Sequence, residues 1–345
     1  MAHRKRGVKM GTGSRRGVDR RRFIKSASSL LAVPAALGVP AAGGMAQPAA
    51  PAANLNPYRE LAAIAAEAER LGLSVPKISA GVTGGTDFNT VMPAIVDFLD
   101  NIQASATSGA APTAEVDALL DRTSALLQAL NRAERSPPDR DPSSGAGAAT
   151  VARPAFDDLR QGYTELFLSC SIRDEHVAGV KWCVGKLTDS DNREQYNRVA
   201  EEVCAPWYFI GIIHAMEASF DFRTHLHNGD SLKARTVQVP SGRPLVWNPP
   251  NDWASSAIDA ITFDHFADQP DWSLARTLYH WEGYNGWRSR ARGINTPYLW
   301  SFSNHYSKGK FVADNVWDPD AVSKQCGAAV MLKALVNEGL VTLPS

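Results

Sequence analysis

The sequence predicts a mainly α-helical protein carrying one short β-hairpin. Apolar residues recur at helical spacing through most of the chain, and one stretch, TVQVPSGRPLVW, alternates around a Ser-Gly turn. The 345 residues, 44% hydrophobic and 21% charged, suffice for one or two domains with a sizeable core.

Residues 1–46 stand apart. Residues 1–25 hold ten Lys/Arg and one acid, followed by the apolar stretch SASSLLAVPAALGVPAAGG and a small-residue site near Ala46. A basic head, an apolar stretch and small residues define a secretory signal. DRRRFIK, with Arg20, Arg21, Phe23 and Lys25, is similar to the twin-arginine export signal, and an ordinary secretory signal is the alternative. The implied partner is the twin-arginine export machinery, and the implied location periplasmic or secreted. The chain has 36 basic and 36 acidic residues; subtracting ten and one leaves 26 and 35, a net charge of −9 after cleavage. Such a protein is a poor partner for nucleic acid. Beyond residue 46 no apolar run is long and clean enough for a stable membrane span.

Residues 47–135 read as a small helical bundle. NPYRELAAIAAEAERLG gives a first helix with Asn56 as N-cap, Pro57 in the first turn and Gly72 as the stop. A second helix is expected from Asp87 to Gln103. A third begins at Thr113, with Val116, Leu119, Leu120, Leu127 and Leu130 on one side. Residues 136–154, SPPDRDPSSGAGAATVARP, form a linker by composition, and residues 155–345 a second domain, with eight of the nine tryptophans from Trp207 onward. There FDDLRQGYTELFLSC and PWYFIGIIHAMEAS read as helices, and Thr236 to Trp247 as a hairpin turning at Ser241-Gly242. The four cysteines contain no CxxC pair, which argues against a zinc ribbon and leaves disulfides or buried thiols open.

The apolar helix closes on a carboxylate. Glu217 shares a face with Ile213, Ile210 and His214, near the helix C-terminus. Desolvation and the helix dipole both disfavour its ionised form, so it is expected to be protonated near neutral pH, as a glycosidase general acid must be. The competing reading is a structural Glu paired with Arg223.

Over PWYFIGIIHAMEASFDFRTHLHNGDSLKARTVQVPSGRP, then WASSAIDAI, WEGYNGWR and TPYLWSFSNHYSKGKFVADNVWDP, the sequence resembles a bacterial and phage lysozyme-like family. The resemblance runs from about Ala155 to the C-terminus. It implies a lysozyme-like α+β domain with a catalytic Glu ending a buried helix, which maps onto Glu217. Asp230 is then a candidate to hold a water or stabilise charge on the sugar, against a turn role in Asn-Gly-Asp. Thr236 is a candidate water-positioning hydroxyl, against plain β-propensity. WEGYNG is similar to the Tyr-Asn-x-Gly segment lining the cleft of lysozyme-like transglycosylases, with one residue fewer before the glycine. That makes Tyr284 and Asn285 candidate sugar-binding residues and Glu282 a second carboxylate or a capping group. His214, Asn228, Tyr298, Trp300 and Tyr306 complete the candidate substrate site, the aromatics through sugar-ring contacts or as core.

The activity implied is cleavage of β-1,4 bonds in an amino-sugar polymer, peptidoglycan first, with no cofactor and no metal. Chitosanase or chitinase action, lytic transglycosylation and a catalytically inactive wall-binding protein are the alternatives. A separate reading takes His214, Glu217, His225 and His227 as a metal site.

Overall fold

A computed structural model describes residues 57–73, 88–109, 114–135, 151–247, 252–313 and 316–344. The expected signal segment, the Asn56 cap and residues 136–150 of the expected linker lie outside them. The described chain is mainly helical, with twelve α-helices and one two-stranded antiparallel sheet among the described residues. No described helix is long and apolar enough to cross a membrane.

Helix α1 (Pro57–Arg70) ends as expected: Gly72, in the left-handed region at φ 72°, donates its N–H to the Glu69 carbonyl at 3.0 Å. Helices α2 (Phe88–Gly109) and α3 (Ala114–Glu134) complete the first group, packed through Leu61, Ile64, Ile95, Ile102, Leu119 and Leu127. After residue 151 come α4 (Phe156–Leu168), α5 (Val177–Thr188) and α6 (Ser190–Val203), the last capped by the Asp189 carboxylate on the N–H groups of Asp191 and Asn192.

Helix α7 (Trp207–Ala218) is the axis of the molecule. It is apolar on every side because it is covered on every side: all its residues but Trp207 are buried, and Phe209, Ile210, Ile212 and Ile213 are wholly enclosed. Its Gly211 has a packing reason. A Cβ there would stand 2.9 Å from a Leu187 methyl and 3.0 Å from the Tyr196 ring. The helix stops where Ser219 and Phe220 turn left-handed, at φ 52° and 64°.

Helices α8 (Trp253–Phe263), α9 (Leu274–Asn285), the short α10 (Arg288–Ala291) and α11 (Pro297–Trp300), and α12 (Ala328–Asn337) follow. The sheet pairs β1 (Lys310–Ala313) with β2 (Val316–Asp318). One continuous core runs from Leu61 to Val341.

The expected hairpin at Thr236 to Trp247 is not a hairpin; the segment forms turns and bends without a ladder. The Asp230 carboxylate takes the N–H groups of Val237 and Gln238, both at 2.8 Å, and Pro240 and Pro244 offer none. Val237, Leu245 and Val246 are exposed, so no apolar face fixes a register. All four cysteines are free, three of them buried.

Candidate active site

The site is built on the end of α7. Glu217 is 5% exposed. One carboxylate oxygen forms an ion pair with Arg135, just past the end of α3, and the other accepts from the Tyr298 hydroxyl at 3.2 Å. Where a purely apolar setting was expected, the carboxyl group faces a guanidinium and a tyrosine hydroxyl. The alternative partner, Arg223, lies on Asp121 instead, at 2.7 Å. The main chain at Glu217 is held as well: Asn131 donates to its carbonyl at 2.8 Å, and Gln128 to that of Ala218 at 3.0 Å.

The HNGD loop folds back against this helix end. Gly229 is required there, because it adopts φ +77° and a Cβ would meet the Glu217 carbonyl oxygen at 3.0 Å and the Gln128 side-chain oxygen at 2.6 Å. Asp230 organises the loop through the two N–H groups named above and the Asn228 amide at 3.1 Å. Asn228 also donates to the Gln238 carbonyl. The Thr236 hydroxyl donates to the Pro240 carbonyl and accepts from the Arg243 N–H at 2.9 Å. The bonds shown by Asn228, Asp230 and Thr236 thus hold a turn.

His214 sits in the core. Its Nδ1 meets the Tyr196 hydroxyl at 3.0 Å, its ring lies against Phe222 and Trp253, and burial pushes its pKa down to about 3. His225 bridges Ser256 and the Ala234 carbonyl, both at 2.7 Å, and burial lowers its pKa also. His227 meets Asp259 at 2.9 Å. Among the described residues no group of three or more His, Cys, Asp or Glu is arranged to hold a metal ion. Each residue of the alternative metal reading is engaged elsewhere.

The remaining candidates are distributed through the core. Glu282, fully buried on α9, takes Arg290 at 2.8 and 2.5 Å and the Tyr163 hydroxyl at 2.5 Å. Burial, and then the Glu282 charge, drive the Tyr163 pKa far up. Tyr284 donates to the Leu226 carbonyl at 3.2 Å. Asn285 is buried at the end of α9, where Gly286 terminates the helix. Trp300 is wholly enclosed, and the Tyr306 hydroxyl donates to the Gly309 carbonyl at 3.2 Å. Of the aromatic residues expected in the cleft, Tyr298 is the one bonded to Glu217.

The third helix, expected from Thr113, forms as α3, but its part in the site was not foreseen from the sequence. Asp121, Ser124, Gln128, Asn131 and Arg135 recur every three or four residues, a polar stripe along one helix face. Ser124, Gln128 and Asn131 are buried on it. Such a stripe beside an apolar one signals a helix whose second face docks on something polar.

Beside Met216 and Asn131 lies a small open cavity of about 60 Å³. Its walls include Met92 and Pro93 of α2, Trp182 and Cys183 of α5, and Cys326 and Met331.

No protein-family model matches the chain, and neither a curated protein nor a solved structure matches it.

Proposed function

We propose that this chain is an exported lysozyme-like glycoside hydrolase that cleaves β-1,4 bonds of an amino-sugar polymer, with peptidoglycan as substrate and Glu217 as general acid. One observation carries the reading: a carboxyl group ends a wholly buried apolar helix, and a tyrosine hydroxyl and a glycine-bearing loop close on it. In the reaction Glu217, once protonated, gives its proton to the leaving glycosidic oxygen as the bond to the anomeric carbon breaks, and a water adds to that carbon, its proton passing back to the Glu217 carboxylate. Tyr298 fixes the carboxyl orientation. The DRRRFIK segment supports export.

A second reading, a glycan-binding protein without turnover, is favoured by the Arg135–Glu217 ion pair, since a carboxylate held by a guanidinium has no proton to give. Mass spectrometry of products from peptidoglycan, chitin and chitosan separates the readings. Reducing-end fragments from peptidoglycan support hydrolysis, and anhydro ends reassign the chemistry to transglycosylation. Saturable binding without fragments sinks the enzyme reading. Cleavage of chitosan alone would fit the net charge of −9 and move the substrate to a cationic polymer.

A further inference from the structure

The polar stripe of α3 is spent almost entirely on the segment that carries Glu217. Arg223 and Lys233 both pair with Asp121. Ser124 donates to Asp221, three residues beyond the end of α7. Gln128 and Asn131 donate to the last carbonyls of α7, and Arg135 closes the row on the Glu217 carboxylate. The flank is pinned too: Lys310 donates to the Glu134 side chain at 2.7 Å, and the same carboxylate takes the Lys324 N–H at 2.7 Å. One face of one helix, from a part of the chain before the expected linker, therefore covers the candidate acid.

The apolar residues of α1, α2 and α3 belong to the continuous core, but the α3 contacts with the end of α7 named above are hydrogen bonds and an ion pair, which water can replace on opening. An open pocket lies beside them, lined by Met92 and Pro93 of α2 and by Trp182, Met216 and Met331.

We propose that helices α1, α2 and α3, with Arg135 at the end of α3, form an inhibitory cap, and that Arg135 must leave Glu217 before the site can work. The inference rests on the hydrolase reading. With Arg135 seated, both carboxylate oxygens are occupied, one by the guanidinium and one by Tyr298, and a glycosidic oxygen has no place at the acid. With Arg135 withdrawn, the oxygen that it held is open to a glycosidic oxygen. The cap thus controls access to the acid. Turnover by the full chain is reduced to the fraction of molecules that are open.

The test uses the full mature chain on peptidoglycan, with initial rates of reducing-end release. Arg135→Met removes the plug and is expected to raise turnover about tenfold or more, the gain available when a minor open state becomes dominant. Asp121→Asn loosens the cap at its far end without touching Glu217, and is expected to raise turnover about two- to fivefold. It keeps the question decidable should Arg135→Met not fold. Faster turnover by the variants supports the cap. An active parent chain with variants that are equal or slower overturns it and leaves the hydrolase reading standing, with α3 a working part of the site. A parent and variants all inert on peptidoglycan, chitin and chitosan remove the hydrolase reading and the cap with it.

Discussion

Two glutamates end two buried helices, and each meets an arginine. Glu282 on α9 is closed from nearby: Arg290 lies eight residues on and grips both carboxylate oxygens, and Tyr163 supplies a third bond. Glu217 on α7 is closed from far away, by an arginine 82 residues earlier that reaches one oxygen. The same pair of residue types thus serves two ends. A bidentate pair between adjoining helices, eight residues apart, is built into the local fold, because α9 and α10 follow each other directly in the chain. A pair spanning separate segments persists only while those segments stay docked. Buried charge alone does not mark a reactive group; the source of its partner does.

The largest expected effect falls on turnover. Glu217→Gln should lower glycan cleavage by at least about 10²–10⁴-fold, because an amide cannot supply a proton. In an apolar setting without a counter-charge this change would leave stability unchanged or improve it. The Arg135 ion pair reverses that sign, and the amide, accepting a weaker bond from the guanidinium, should cost about 1–3 kcal/mol by chemical denaturation. Full activity in this variant would place Glu217 in the same class as Glu282.

The second effect is on stability alone. Arg290→Met strands a fully buried carboxylate and should cost about 3–5 kcal/mol. Denaturant midpoints compared with those of Arg135→Met sharpen the contrast. Breaking the distant pair should cost less, because Glu217 can be reached by water once the cap lifts. Equal losses would mean that both pairs belong to the permanent frame.

How far the sequence exposed this contrast depends on the range of each interaction. The helices were legible because their signals are local: the Gly72 stop, the apolar face of α1, and the unbroken WYFIGII run of a helix covered all round. The segment at Thr236 misled because alternation alone cannot say where its N–H groups go, and Asp230 claims two of them. Tyr298, Trp300 and Tyr306 looked like cleft aromatics because they sit in loop-like sequence. Their large apolar area is buried in the core, and Tyr298 alone turns its hydroxyl to Glu217. Arg135 was invisible as a partner, because no periodicity links residues 82 positions apart. Its helix did carry a trace, the stripe from Asp121 to Arg135.

A third effect separates the α9 region by pH. His280 is enclosed by Phe209, Phe266, Trp272 and Tyr279, with no hydrogen-bond partner for either ring nitrogen among the described residues. Burial first, and then the charges of Arg276 and Arg153, push its pKa from 6.5 down to about 4. Between those values the unfolded chain binds a proton that the folded chain refuses. Stability is therefore full above pH 6.5 and falls towards pH 4, by up to about 1.4 kcal/mol per pH unit for this group. His280→Leu should be nearly neutral at pH 7.5 and should flatten the loss measured between pH 6.5 and 4.5. An unchanged slope would assign the acid sensitivity to His214, whose pKa is lowered to about 3 by burial.

The smallest effect concerns Arg223, the partner that proximity in sequence suggested for Glu217. It pairs with Asp121 at 2.7 Å, with side chains 24% and 38% exposed, and Lys233 shares the same carboxylate. An exposed pair of this kind contributes at most about 1 kcal/mol and is screened by salt. Arg223→Gln should therefore shift the denaturation midpoint slightly at low ionic strength and hardly at all at high. A double-mutant cycle makes this small effect decisive. Arg223→Gln combined with Glu217→Gln should be additive within about 0.3–0.5 kcal/mol, as for groups without a shared contact. Arg135→Met combined with Glu217→Gln should show coupling above about 1 kcal/mol, since either change alone already breaks the pair. If the coupling appeared at Arg223 and not at Arg135, the carboxylate would be held by its own loop, as Glu282 is, and α3 would have no charge to withdraw.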